Sequence, residues 1–87
     1  MKKRRNPNPF NEVPLEEAKF AVVDMKSGDC FENWFATEED AIIYADYDWG
    51  HLTPYEQKNI AYYYVAEIEY DPELEDYTEI RTIKVYK

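Results

Sequence analysis

The first strong pattern of apolar and polar positions predicts a β-hairpin. Residues 18–24 form a short apolar run rich in strand-forming residues, and residues 30–35 form a second run. The connection between them contains Gly28, which is typical of a hairpin turn. The first run is apolar at nearly every position, so we expect it inside a sheet. The second alternates, with Phe31 and Phe35 on one face, so its outer face should be at least half exposed.

The middle of the chain, residues 37–60, carries the only long helical pattern. Ala41, Ala45 and Trp49 recur every four residues with Ile42 beside them, which gives an apolar stripe of helical period. We therefore expect a helix that covers one face of the sheet.

Two start signals lie in this stretch. Thr37 followed by Asp40 resembles a capping box with Asp in place of Glu. Thr53, followed by proline and then by Glu56, is a second start signal, because proline is favoured at the first helical position. Gly50 fits a stop between them, so the pattern predicts a long helix and a short one.

A second hairpin follows the helices. Residues 61–70 alternate as in a half-buried strand, and residues 78–86 predict a fourth strand after a turn that contains Pro72. The order is therefore ββααββ. This order indicates an α+β domain with a four-stranded, mainly antiparallel sheet, strand order 2-1-3-4, and one helical layer on one face.

The amino-terminal residues differ from the rest in charge and pattern. Residues 1–17 contain three prolines and no sustained periodicity, so we expect a flexible arm, followed by a single domain over residues 18–87. The basic group Lys2, Lys3, Arg4 and Arg5 either contacts an acidic or phosphate-bearing partner or serves as a solubilising or self-docking tail. Removing its four charges from the net −9 leaves −13 for the remainder.

Composition narrows the function classes. An acidic body of this charge should be repelled by nucleic acid and by anionic membranes, and attracted to basic protein surfaces. Cys30 is the only cysteine, which excludes an intramolecular disulfide and favours a reducing, cytoplasmic compartment. No apolar run approaches a membrane span, and the basic start lacks the apolar segment of a signal peptide. The nine tyrosines suit boundaries and contact surfaces.

An acidic tract near the carboxyl end is the most distinctive candidate surface. We expect it to bind a partner protein with a basic surface, together with a neighbouring strand tyrosine. The alternative is a solvated hairpin whose charges block edge-to-edge association of sheets. The candidate residues are Tyr63, Glu67, Glu69, Asp71, Glu73, Glu75, Asp76 and Glu79.

A second polar cluster lies near the end of the long helix. Asp46, Asp48 and His51 are plausible ligands for a divalent cation, but their spacing matches no established site, and a histidine at the position of His51 is more often a capping side chain.

Other catalytic signals are weak. Cys30 with His51 raises the question of a thiol nucleophile, but no neighbouring group in the sequence would activate the thiol. With two glycines in the chain a phosphate loop is hard to build. We therefore predict no enzyme, no cofactor and no metal.

Residues 45–58 carry a resemblance. This stretch resembles a group of small uncharacterised bacterial proteins, and the matching residues are Trp49, residues 51–53 and residues 56–58. Members of the group share a hairpin, a helix ending near a tryptophan, a His-Leu-Thr-x-x-Glu-x-Lys type segment and another strand. The resemblance covers residues 20–65. It implies a bacterial or mobile-element origin and carries no activity.

These observations lead to two hypotheses. The first is a small cytoplasmic, non-catalytic module that binds a basic partner through its acidic, tyrosine-rich surface. The alternative is a DNA mimic that inhibits a nucleic-acid-binding defence protein. Both expect a basic partner, but only the mimic predicts direct competition with DNA.

Overall fold

The computed structural model describes residues 10–26 and 29–86, which form a single sheet with helices on one side. After a 3-10 turn at Leu15–Glu17 the order is two strands, two helices and two strands, as the sequence predicts. The bounds are β1 (Phe20–Lys26), β2 (Asp29–Phe35), α1 (Glu38–Gly50), α2 (Pro54–Asn59), β3 (Ile60–Asp71) and β4 (Asp76–Val85).

The sheet has the order β2-β1-β3-β4, and all three pairings are antiparallel. The predicted α+β class and strand order are therefore confirmed. The apolar β1 is central, with Val22 opposite Asn33 of β2 and Val65 of β3. The edge strand β4 pairs with β3, and the register shifts twice along β3, between Val65 and Ala66 and between Glu67 and Ile68. Such bulges twist an edge strand and make it a poorer template for another strand.

Both helices begin at the predicted threonines. The Thr37 Oγ1 accepts the Asp40 backbone N–H (3.1 Å), and Thr53 forms a complete capping box with Glu56. At the first helix the carboxylate of Asp40 accepts from Asn11 Nδ2 (3.3 Å). The side chains at both starts thus satisfy amide groups that lack a partner within the helix.

The end of α1 differs in detail from the prediction. Gly50 is the last helical residue, and a Cβ built on it would meet nothing within 4 Å. His51 is the capping residue, in a right-handed conformation, and its backbone N–H reaches the carbonyls of Tyr47 and Asp48. The helix therefore ends without a left-handed glycine, and His51 has the capping role that its position suggests.

The main core lies between α1 and the sheet. Ala41 and Ala45 of the predicted stripe are fully buried, and they pack with Phe35, Tyr63 and Val65. The two alanines leave room for the helix to approach the strands closely, and the large rings of β2 and β3 fill the space. The apolar stripe read from the sequence is thus the contact between helix and sheet.

A second core cluster lies on the opposite face, which we call the open face. Ala21, Val23, Ala66 and Ile68 point to this side and are buried together with Ala18.

Part of the predicted arm packs against the domain. Phe10 lies on α1, with its ring 5.2 Å from that of Tyr44. Val13 and Leu15 cover one end of the open face. The basic group of residues 2–5 lies outside the described residues.

Candidate functional site

The predicted acidic tract does not form one surface. Glu67 lies on the face that α1 covers and forms an ion pair with Arg81 of β4 (Nε to Oε1, 2.8 Å). Glu79 lies on the open face, where it accepts a hydrogen bond from Tyr64. Glu69 is exposed near the end of β3. The four remaining carboxylates surround the turn between β3 and β4.

This acidic turn, residues 71–76, has a defined shape. The Asp71 carboxylate accepts the Glu73 backbone N–H (2.9 Å), and the Asp71 carbonyl accepts the N–H groups of Leu74 (3.2 Å) and Glu75 (2.8 Å). Glu75 adopts φ 54°, in the left-handed region that glycine favours. Asp71 thus closes the turn through both its side chain and its backbone.

An apolar side chain stands among these carboxylates. Leu74 is 71% exposed at the tip of the turn. The acids Asp71, Glu73, Glu75 and Asp76 lie within three residues of it in the chain. The candidate residues predicted from the sequence are carboxylates and one tyrosine, and they do not include Leu74. The signal was the single apolar residue between Pro72 and Asp76.

Two tyrosine–glutamate pairs cross the open face. Tyr64 Oη donates to Glu79 Oε2 (2.7 Å), and Tyr77 Oη donates to Glu32 Oε2 (2.8 Å). Burial and then these hydrogen bonds raise the pKa of both tyrosines. Glu32 and Tyr77 are 45 residues apart and come together only through the packing of β2, β1, β3 and β4 side by side. No local pattern predicts such a pair, although the alternation of β2 does place Glu32 outward.

Tyr63 does not lie on the predicted contact surface, and that assignment is wrong. Its side chain is 1% exposed and belongs to the main core, with its ring 5.2 Å from that of Trp49. Its hydroxyl donates to Asp48 Oδ2 (2.6 Å), and burial, followed by this bond, raises the pKa of Tyr63. The strand alternation was interpreted correctly. However, the face that carries Tyr63 is the one that α1 covers.

The structure gives each member of the Asp46, Asp48 and His51 cluster a separate partner. Asp46 Oδ1 accepts from Tyr86 Oη (2.7 Å) and from Lys84 Nζ (3.2 Å), and Asp48 accepts from Tyr63. The hydrogen bond from Tyr86 lowers the pKa of Asp46, and the hydrogen bond and charge of Lys84 add to this effect, while desolvation opposes it.

His51, the third residue of this cluster, contacts its own helix. Its Nδ1 donates to the Tyr47 carbonyl oxygen (2.8 Å), and its ring lies 4.0 Å from the Tyr47 ring. Within residues 10–26 and 29–86 no group of three His, Cys, Asp or Glu side chains is arranged to hold a metal ion. The negative end of the helix disfavours the charges of Asp46 and Asp48. The ammonium group of Lys84 and the hydroxyls of Tyr86 and Tyr63 offset this unfavourable interaction.

Cys30 and His51 lie on opposite sides of the sheet. Cys30 is an exposed free thiol on the open face, opposite Met25 of β1, whereas His51 caps α1. Desolvation and then the charge of Glu32 raise the pKa of the thiol. A raised pKa disfavours the thiolate that nucleophilic chemistry requires, and the two side chains do not form a nucleophile and base pair.

Comparison of the chain with protein-family models, with curated proteins and with solved structures gives no match. The resemblance of residues 45–58 to small bacterial proteins therefore stays a prediction. Among the described residues, no helix combines the length and the apolar character needed to cross a membrane.

Proposed function

We propose that this protein is a non-catalytic binding module whose acidic turn contacts a basic surface on a partner protein. The observation that carries the proposal is the arrangement of the turn, in which Leu74 is 71% exposed among four carboxylates and Asp71 fixes the backbone. In this proposal the module acts in the cytoplasm, where Cys30 remains a free thiol.

Each part of the turn has a role in such a contact. Carboxylates select and attract a positively charged surface, which accelerates encounter and excludes acidic partners. Leu74 supplies apolar area that is removed from water when the partner binds, and this burial is worth about 1.5–3 kcal/mol. A turn that is already closed by Asp71 loses little conformational freedom on binding. Charge, apolar contact and rigidity thus coincide in six residues.

The DNA-mimic alternative receives less support from the same geometry. A mimic of the duplex backbone needs rows of carboxylates on one continuous surface. Here Glu67 is neutralised by Arg81 on the helix side, and Glu79 lies on the open face with its partner Tyr64. The remaining acids form a compact tip, which fits a local contact with a protein better than a long one.

A pair of charge-reversal variants tests the proposal. The full chain, a double variant Glu73→Lys with Glu75→Lys, and a control double variant Glu16→Lys with Glu17→Lys are immobilised and exposed to a lysate of the source cells. Both variants change the net charge by the same amount, and all four positions are exposed. We expect a protein that wild type and control retain and that the turn variant retains at least tenfold less, because reversal opposes a basic surface.

Two further measurements make the result specific. A Leu74→Ser variant should retain the same protein about tenfold less strongly if Leu74 is buried in the complex. Equal retention by the turn variant and the control would contradict the proposal. Displacement of the captured protein by duplex DNA at saturating concentration would favour the mimic, whereas binding that DNA leaves unchanged would eliminate it for that partner.

A further inference from the structure

Within residues 10–26 and 29–86, segments outside the sheet cover only one end of the open face. Val13 and Leu15 pack over Ala18 and its neighbours, where β1 begins and β3 ends. At the other end of the same face a groove crosses β1, β3 and β4. We call it the open-face groove, and its lining residues are Met25, Tyr62, Tyr64, Glu79, Thr82 and Val85.

The walls of the open-face groove are apolar and accessible. Tyr62 is 63% exposed and Val85 is 60% exposed, although both lie in strands of the folded sheet. Met25 and Tyr64 are half-buried and continue the second core cluster toward the groove. Contiguous exposed apolar side chains beside a core are typical of a contact surface rather than of isolated exposed residues.

Negative charge borders this apolar surface. The carboxylate of Glu79 accepts from Tyr64 Oη, and the carboxylate of Glu32, further across the face, accepts from Tyr77 Oη. The Cys30 thiol also donates to Glu32 Oε2 (3.9 Å). A carboxylate has about four acceptor positions, so Glu79 with one donor and Glu32 with two can each still accept from an outside donor. The charges of both glutamates also contribute, after desolvation, to the raised pKa of the neighbouring Cys30 thiol.

We propose that the open-face groove binds an apolar side chain of an extended basic segment, with flanking Lys or Arg side chains paired to Glu79 and Glu32. The apolar walls account for the side chain, and the bordering carboxylates account for the flanking cations. The domain of a second copy fits poorly, because outside the basic group of residues 2–5 the chain carries −13 and brings the same two glutamates to the contact. The inference rests on the proposed function, since such a segment belongs to the basic partner.

Two short peptides of equal charge test this proposal with the full chain. The probes are Ac-Arg-Leu-Arg-Leu-Arg-NH2 and Ac-Arg-Ser-Arg-Ser-Arg-NH2, titrated into 15N-labelled protein and followed by amide chemical shifts. We expect the leucine peptide to shift Tyr62, Tyr64 and Val85, and the serine peptide to bind there at least tenfold more weakly, because burial of one leucine contributes about tenfold or more in affinity.

Matched variants of β4 locate the contact. Val85 lines the groove, and Ile80 in the same strand is 53% exposed but does not line it. Val85→Ser should weaken binding of the leucine peptide about tenfold, whereas Ile80→Ser should change it less than twofold. The spectrum of each free variant shows whether its sheet is intact, and the two-peptide comparison on the wild type needs no variant.

The outcomes separate this inference from the proposed function. Equal binding of both peptides at the groove, or groove amides that neither peptide shifts, would overturn the inference. Chemical-shift changes confined to residues 71–76 would overturn the inference while supporting a basic partner for the acidic turn. If neither the groove nor the turn shows a shift change, the result would contradict both the inference and the proposed function. Groove shifts that follow protein concentration without peptide would assign the groove to a second copy and overturn the inference.

Discussion

At the scale of single residues, Glu75 has the least favourable backbone conformation in the acidic turn. Its φ of 54° is one that a side chain with a Cβ adopts at a cost, whereas glycine adopts it freely. We therefore expect Glu75→Gly to be about 1 kcal/mol more stable than a Glu73→Gly control, since both remove one charge but only the first relieves strain. Urea unfolding of the two variants measures the difference. A control that equals or exceeds Glu75→Gly in stability would contradict this account.

Single residues also show where sequence reasoning succeeded and failed at the site. The exposed acids of the turn were predictable, because proline and consecutive carboxylates have no place inside a sheet. Tyr63 was assigned to the surface because alternation defines two faces without saying which one a helix covers. Arg81 follows the acidic tract in the sequence, but its ion pair with Glu67 depends on the register between β3 and β4. Two bulges set that register, and the residues around them carry no sequence pattern that predicts a bulge.

At the scale of elements, tyrosine hydroxyls connect α1 to the sheet. Tyr63 Oη donates to Asp48 Oδ2 (2.6 Å) from a buried position. We expect Tyr63→Phe to lower the free energy of unfolding by about 1–2 kcal/mol, because the Asp48 carboxylate loses a donor that water replaces incompletely. The control is Tyr62→Phe, whose ring is exposed on the other face and whose change should stay within about 0.5 kcal/mol. Equal stability of the two variants in thermal or urea unfolding would show that the bond contributes nothing.

The elements themselves were largely predictable, for local reasons. Thr37 and Thr53 begin helices because their hydroxyls satisfy amide groups at the first turn, and this chemistry needs no tertiary information. The central position of β1 agrees with its apolar run, because Val22 is buried in the core cluster on one face and Ala21 and Val23 in the cluster on the other. The partners of Asp46 and Asp48 were not predictable. They come from Tyr86, Lys84 and Tyr63, at least 15 residues away along the chain.

At the scale of the whole molecule, tyrosine hydroxyls pair with carboxylates on both faces of the sheet. Among the described residues, four tyrosine hydroxyls donate to carboxylates at the negative end of α1 or on the open face. The tyrosines are Tyr63, Tyr64, Tyr77 and Tyr86. Each hydroxyl donates a hydrogen bond without adding a positive charge. The net charge therefore remains available for attraction of a basic partner, and the fold depends on these phenols staying protonated.

This dependence predicts a loss of stability in alkali. Burial raises the pKa of the four phenols that donate to carboxylates, and burial followed by the charges of Asp48, Glu12 and Asp24 raises the pKa of Tyr44 to about 12. In the unfolded chain a phenol ionises near pH ~10. Between the pKa of a phenol in the unfolded chain and its higher pKa in the folded protein, the folded state holds more protons than the unfolded state. The free energy of unfolding should therefore fall as the pH rises above about 10.

Phenolate absorbance near 295 nm provides the measurement, with the folded protein and the urea-unfolded chain titrated in parallel. The folded protein should release a smaller share of its phenol protons between pH 10 and 12 than the unfolded chain. The urea midpoint should also decrease over that range, because unfolding then releases protons. Coincident titration curves would mean that the folded state does not hold the protons of these hydroxyls, and a constant urea midpoint would mean that their ionisation is not coupled to the fold.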